Sequence, residues 1–317
     1  MTEAKTPPPI KRRREVVDGV LLLDKPPGLS SNQALQRVRW MLNAKKGGHT
    51  GNLDPLAEGV LPLCFGEATK YADFGLDANK TYIARIQLGQ MRDTGDAEGQ
   101  VISEHPIPPF SSARIESVLA QFAGDQQQLP PMYSALKHQG RKLYELAREG
   151  KTIERQPRSI HLYALTCLEW QADSLLIQVT CSKGTYIRVL GEDIARALGS
   201  GGYLTYLRRT RSGAVDEAEL ISMSQLESSY DSLGTAGVRA LLKPVDFLIQ
   251  HLPALILNTT QASQVRQGQA LRGLDLSSAI KDNARLFDES GQFLGLARRL
   301  DDTPETCLQP FKMKAQA

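Results

Sequence analysis

One acidic residue, Asp54, stands inside the run GGHTGNLDPLAEG at residues 47–59, which holds four glycines and one proline. That run is too irregular for the interior of a helix or strand, so it predicts a loop, and loops carry function more often than the elements they join. The glycines allow backbone to approach a bulky ligand, and the place before Pro55 biases Asp54 towards extended backbone. A carboxylate held there can act as general base, general acid or nucleophile. Glu58 is the nearest second carboxylate, and a pair of them would suit glycoside or nucleoside hydrolysis. Taken in isolation, Asp-Pro is a common turn, and a structural role is the ordinary reading.

Other chemistries lack their usual residues. The chain has no G-x-x-x-x-G-K-[ST] phosphate loop, no G-x-S-x-G nucleophile elbow and no H-E-x-x-H zinc helix. The GSGG run at residues 199–202 follows a helical pattern and so reads as a helix C-cap. The four cysteines, Cys64, Cys167, Cys181 and Cys307, are scattered without C-x-x-C spacing, which predicts reduced thiols in the cytoplasm and no zinc site. No metal and no cofactor are expected. No apolar run reaches the roughly 18 residues of a membrane span. The longest candidate, residues 16–23, is interrupted by Asp18. No apolar segment follows the basic residues 11–14, so no signal peptide is expected.

The net charge of +3 says little, but the distribution of charge says more. Residues 11–14 are KRRR, residues 137–158 hold seven Lys or Arg against three Glu, and Arg208, Arg209 and Arg211 form a third cluster. Any one cluster reads equally well as a solvated face. Three together suit a polyanion such as a phosphate backbone.

The elements that must position Asp54 follow from periodicity. Residues 1–15, rich in Pro, Lys and Arg, predict a disordered basic arm. A strand over 16–24 follows, then a helix capped by Ser31 and running to about Leu42, with Leu35, Val38 and Leu42 at helical spacing. Tyr82, Ala84, Ile86 and Leu88 alternate along a strand over 81–88. Another strand spans 175–181, an extended stretch runs to Arg188, and a helix covers 191–198. Residues 106–158 look like an insertion projecting from the sheet and carrying the densest basic cluster. From about Leu252 the texture becomes short β-like runs, with a hairpin pairing 284–288 and 293–297. No internal repeat and no heptad run is present.

The whole run GGHTGNLDPLAEGVLPL at 47–63, followed by GEATK at 66–70, resembles the bacterial tRNA pseudouridine-55 synthases, the TruB family. Further family-like segments are LLLDKP at 21–26, LPPMYSALK at 129–137, GRKLYE at 140–145, CSKGTYIR at 181–188 and YLRR at 206–209. They span about residues 17–215 in the family's order. Asn52 departs from the small residue the family more often carries, beside the catalytic position and not on it.

The resemblance implies an α+β pseudouridine-synthase fold. Its central sheet is mixed and mainly antiparallel, flanked by helices, with an inserted basic thumb and a small PUA-like C-terminal β domain. The expected divisions are an arm over 1–15, a catalytic domain over 16–250 with its insertion at about 106–158, and the β domain over 251–317. The implied activity is isomerisation of the T-loop uridine of tRNA on a flipped-out base. A monomer is expected because no self-complementary apolar stripe stands out, and the long insertion at 106–158 favours a self-sufficient enzyme without an obligatory protein partner. Asp54 would be the catalytic carboxylate, kept ionised by Arg188. Tyr186, two residues before Arg188, would share its face of an extended stretch and meet the ribose or base. Tyr82 would stack on the extracted uracil, although periodicity alone makes it core packing with Ala84 and Ile86. Leu207 would close the apolar wall, and His49 would enter the space vacated by the base. Whether Asp54 attacks C1′, adds to C6 or removes the C2′ proton stays open. A noncatalytic RNA-binding protein, a hydrolase and a guide-RNA-dependent relative are the rival readings.

Overall fold

The computed structural model describes residues 13–274, 280–300 and 307–315. Most of the expected arm, residues 1–12, lies outside the described residues. Residues 13–15 are tied to the body, because the Glu15 amide donates to the Asn43 carbonyl (2.9 Å) and Asn43 Nδ2 donates to the Arg13 carbonyl (3.0 Å).

Ten strands form one mixed sheet. Its main path runs Ile221–Ser222, Gly19–Lys25, Glu58–Phe65, Gly202–Ser212, Lys80–Leu88, Ser174–Cys181, Arg158–Trp170, Gly124–Gln128. Two of these pairings are parallel, Gly19–Lys25 with Ile221–Ser222 and Gly202–Ser212 with Glu58–Phe65, and the others are antiparallel. The unbroken apolar run in Gly19–Lys25 is explained by burial on both faces. Leu21 and Leu23 join the main core, while Val20 and Leu22 pack with Val60 and Cys64 on the other side. Burying each such side chain contributes about 1.5–3 kcal/mol.

Lys80–Leu88 alternates as its sequence predicts, with Tyr82, Ala84, Ile86 and Leu88 buried and the intervening residues half-buried. The first helix, Ser31–Met41, is capped by Ser30 and not by Ser31. The Ser30 hydroxyl accepts from the Gln33 amide, and the Gln33 side chain accepts from the Ser30 amide. That one-residue correction frees Ser31, which is buried, for the loop described below.

Two further expectations are corrected. The first part of the insertion belongs to the body: helix Ser112–Ala120 buries Ile115, Val118 and Leu119 in the main core, and Gly124–Gln128 is the edge strand of the sheet. Only residues 129–157 stand beyond it, with a small hairpin, Lys137–His138 and Arg141–Lys142, and helix Leu143–Arg148. The second correction is that helix Ile187–Leu198 begins four residues earlier than predicted. Its apolar stripe of Ile187, Leu190, Gly191, Ile194, Ala195 and Leu198 already starts at Ile187, directly after a turn at Gly184 (φ 80°). The helix ends at Gly199 in the left-handed conformation, as the GSGG run predicts.

A second sheet of five strands follows, ordered Ala254–Leu257, Asn283–Asp288, Phe293–Leu300, Cys307–Met313, Leu271–Arg272, with the expected hairpin at its centre. Its strand Cys307–Met313 bonds to the first body, and Phe293 and Leu296 pack against Tyr71 and Ile249. Lys70 Nζ donates to the Met313 carbonyl (2.8 Å) and the Tyr71 hydroxyl donates to the Lys312 carbonyl (3.1 Å). The lysine of GEATK therefore fastens the second sheet to the first. No helix among the described residues is long and apolar enough to cross a membrane.

Candidate active site

The sheet order sets Glu58–Phe65, Gly202–Ser212 and Lys80–Leu88 side by side, and residues 50–57 lead into the first of these strands. The loop's backbone is fastened from several directions. Ser31 Oγ accepts from the Leu53 amide (2.7 Å) and donates to the Leu53 carbonyl (3.1 Å). Lys25, fully buried, donates to the carbonyls of Pro26 (2.8 Å), Leu29 (2.6 Å) and Pro55 (3.5 Å). Burial pushes its ammonium down to about 8. The Gly28 amide donates to the Pro55 carbonyl (2.8 Å) and the Ala57 amide to the Asp54 carbonyl (3.1 Å). With both neighbours fixed, the side chain of Asp54 stands 37% exposed, open to a ligand.

Arg188 meets it from the other side. Its Nε donates to Asp54 Oδ2 (2.8 Å), one terminal nitrogen donates to the Thr94 carbonyl, and the other to the Tyr133 carbonyl (2.7 Å). The guanidinium is almost fully buried, and a second carboxylate, Asp96, lies 3.7 Å from its Nε. Asp96 is itself buried and accepts from the Thr94 hydroxyl (2.6 Å) and the Glu98 amide (3.1 Å). Its carboxyl is raised by burial, against the Thr94 hydrogen bond and the Arg188 charge. One guanidinium thus serves an exposed carboxylate and a buried one.

The expected pairing of Tyr186 and Arg188 along one face of an extended stretch does not occur. Tyr186 is the N-cap of helix Ile187–Leu198 and Arg188 lies in its first turn, so their side chains diverge by helical and not strand geometry. Gln128 holds that junction: its amide donates to the Tyr186 carbonyl (3.1 Å) and accepts from the Tyr186 amide (2.7 Å). Half-buried Tyr186 still lies within range of the Asp54 charge, as does Tyr82, which is 8% exposed. Burial raises both hydroxyls. Leu207 faces Ala84 across the ladder and shares the core with Tyr82 and Leu53. His49 is set apart, in the strand Gly47–His49, with Nδ1 accepting from the Gly51 amide (3.4 Å). Burial, then the Arg209 charge, lowers its imidazole, so it is neutral at pH 7.

Glu58 is not a free second carboxylate, because Arg208 (3.1 Å) and the Tyr206 hydroxyl (3.0 Å) both bind it. The same contacts correct the third basic cluster. Arg208 is held by Asp24, Glu58 and Glu217, Arg209 is buried, and only Arg211 is exposed. Sequence reasoning missed Ser31 as a loop anchor, along with Asp96 and Gln128. Among the described residues no group of three His, Cys, Asp or Glu side chains is placed to hold a metal ion.

Glu192 underlies the segment that carries Asp96: a Cβ on Gly95 would come within 2.6 Å of its Oε1. Burial pushes its carboxyl from 4.5 up to about 7, with the neighbouring Arg196, Asp193, Arg188 and Asp96 modulating it. A carboxyl raised by folding contributes stability that is full below its unfolded value and lost as pH rises through the folded one. Glu192→Gln should therefore match the parent chain at pH 5 and exceed its thermal midpoint at pH 8. Equal midpoints at pH 8 would remove Glu192 from the pH dependence.

Comparison with known proteins places these residues in context. Residues 39–187 match the family model described as TruB family pseudouridylate synthase (N terminal domain). Residues 188–250 match tRNA pseudouridylate synthase B C-terminal domain, and 253–303 match Pseudouridine synthase II TruB, C-terminal. The tRNA pseudouridine synthase B of Chromohalobacter salexigens is 49% identical over 286 residues, 90% of this chain and 92% of the relative. That of Coxiella burnetii is 44% identical over 302 residues, 95% and 96% of the two chains. Among solved structures, a chain of a Cbf5-Nop10-Gar1 complex superposes with a TM-score of 0.72 at 26% identity, covering 94% of this chain and 85% of that one. A chain of an H/ACA RNP bound to a substrate RNA containing 2′-deoxyuridine gives 0.71 at 24% identity, covering 95% and 86%, a likeness of fold alone.

Proposed function

The chain belongs to the TruB family of pseudouridylate synthases, and from that premise we propose that it isomerises the T-loop uridine at position 55 of tRNA, with Asp54 as the catalytic carboxylate. The observation that carries this reading is the 2.8 Å contact between Arg188 Nε and a half-exposed Asp54 on a fastened loop. In the reaction the N1–C1′ bond breaks and a C5–C1′ bond forms. The C5 proton leaves to solvent and N1 takes one up, with no net oxidation.

Tyr82 stacks on the flipped uracil, Tyr186 meets the nucleotide, Leu207 forms the apolar wall and His49 fills the vacated stack. Residues 16–250 form the catalytic unit and 251–317 an accessory RNA-binding β unit. Extraction of the base is offset by backbone contacts, to which the exposed Lys137, Arg141, Arg148, Lys151 and Arg158 around residues 129–157 are suited, as are Lys45 and Lys46 beside the loop. The enzyme acts as a monomer, without guide RNA or protein partner, in the cytoplasm. The four free thiols suit that compartment.

The test is to incubate the purified chain with a tRNA transcript carrying tritium at uridine C5, follow tritium release, and map the product by carbodiimide primer extension. One equivalent released, with the modification at position 55, is the expected result. Binding without release under single-turnover conditions would leave an RNA-binding protein only. Free uracil as the main product would make the chain a hydrolase.

A further inference from the structure

Besides Arg188, three cations are buried around the candidate site, Lys25, Lys80 and Arg209, and Arg209 is the largest fully buried side chain in the described structure. Among the described residues none of the three has a carboxylate oxygen within 4 Å. Lys80 donates to the carbonyls of Gly75 (3.0 Å), Leu76 (2.7 Å) and Ala78 (2.5 Å), and Lys25 likewise binds only carbonyls. A guanidinium taken out of water without a carboxylate partner is costly, so its retention calls for a use.

The contacts of Arg209 show where it acts. Its Nε donates to the Val60 carbonyl (2.7 Å), and its terminal nitrogens donate to the carbonyls of Asn52 (3.4 Å) and Gly51 (3.4 Å). The strand Gly202–Ser212 lies between the strand that follows the Asp54 loop and the strand that bears Tyr82. Arg209 faces Gly59 on one side and Tyr82 on the other. Tyr82, its cross-strand neighbour, lies within reach of its charge. Two loop glycines are fitted to it. A Cβ on Gly51 would lie 3.4 Å from the guanidinium, and one on Gly59 would come within 2.3 Å of the Arg209 carbonyl. One planar cation therefore ties the turn before Asp54 to the strand that follows it, beside the strand that bears Tyr82.

We propose that Arg209 is a positioning residue for the isomerisation. It sets the backbone of residues 51–52 that delivers Asp54, from the strand position that faces Tyr82 across the ladder. The inference rests on the functional reading above. It separates from a charge-only role because a guanidinium presents five donors in a fixed fork, whereas an ammonium presents three from one point. Lysine keeps the charge but cannot span the three carbonyls as the fork does.

The test compares Arg209→Lys, Arg209→Gln and, as a stability control away from the site, Val118→Ala, a buried position on helix Ser112–Ala120. Single-turnover tritium release, tRNA Kd by filter binding and the thermal midpoint are measured for each. Arg209→Lys should slow release about 100-fold with Kd within about threefold of the parent, the pattern of lost positioning and not of lost binding. Arg209→Gln should slow it at least as much, and Val118→Ala should lower the midpoint while keeping the rate. Parental release in a folded Arg209→Lys would overturn the proposal. So would a Kd that weakens in step with the rate, an equal slowing in Val118→Ala, or failure of both Arg209 variants to fold. Absence of release from the parent chain would instead sink the functional reading itself.

Discussion

Asp54→Asn is expected to abolish pseudouridine formation, a loss of about four orders of magnitude or more, while tRNA affinity stays within about tenfold of the parent chain. The asymmetry follows from how the loop is built. Its backbone is fixed by Ser31, Lys25 and Arg209, none of which uses the Asp54 carboxylate. Asparagine has the same shape and retains an oxygen to accept from Arg188 Nε, so the RNA-facing surface persists. Arg188 also keeps Asp96 at 3.7 Å, which prevents a stranded buried cation. What asparagine lacks is the negative charge that each of the three routes for Asp54 requires. Release of C5 tritium under single-turnover conditions, read beside filter binding, checks both halves. Turnover at the parental rate would take Asp54 out of the chemistry, and a large loss of affinity would make its role one of RNA binding.

How much of this was legible in the sequence depended on whether a residue's neighbours in the chain were also its neighbours in space. Tyr82 was readable because strict alternation from Lys80 to Leu88 fixes which side chains face the core. The hairpin of the second sheet was readable for the same reason, from two alternating runs joined by a turn. Arg188 was placed correctly as the partner of Asp54 by resemblance, yet its local geometry was misjudged. The stretch before it contains Thr185, Tyr186 and Ile187, which favour strand, and the helix that begins there is imposed by packing of Ile187 and Leu190 on the sheet. Asp96 gave no signal at all. It lies in a polar turn a few residues from Asp93, and only the tertiary fold buries one and exposes the other.

The two adjacent arginines show the limit most clearly. Arg208 and Arg209 are the same residue type in the same motif, and charge alone assigned both to a phosphate backbone. Their fates diverge because strand residues alternate between faces. Arg209 shares the buried side with Leu207, while Arg208 turns towards Asp24, Glu58 and Glu217. Period-two reading of residues 205–209, with Leu207 as the inward anchor, would have separated them. Charge counting could not.

Arg188→Met is expected to reduce single-turnover pseudouridine formation by about three orders of magnitude and to lower stability by about 3–5 kcal/mol, the scale for removing one member of a buried charged group. The substitution keeps most of the volume and apolar stem while deleting every donor. It leaves Asp54 without its 2.8 Å partner, the Thr94 and Tyr133 carbonyls unpaired, and Asp96 buried with no cation beside it. The pH dependence should change in a defined direction. Burial already raises the Asp96 carboxyl, and the Arg188 charge opposes that rise, so its removal raises Asp96 further. A carboxyl raised by folding adds stability in acid and loses it as pH rises through the folded value. The deficit of Arg188→Met relative to the parent should therefore be smaller at pH 5 than at pH 8, measured as urea midpoints. Arg188→Lys distinguishes charge from fork geometry, since it should recover part of the stability while release of C5 tritium stays slow. A deficit independent of pH would show that Arg188 does not govern Asp96. Parental turnover in Arg188→Met would break the link between the buried guanidinium and the reacting carboxylate.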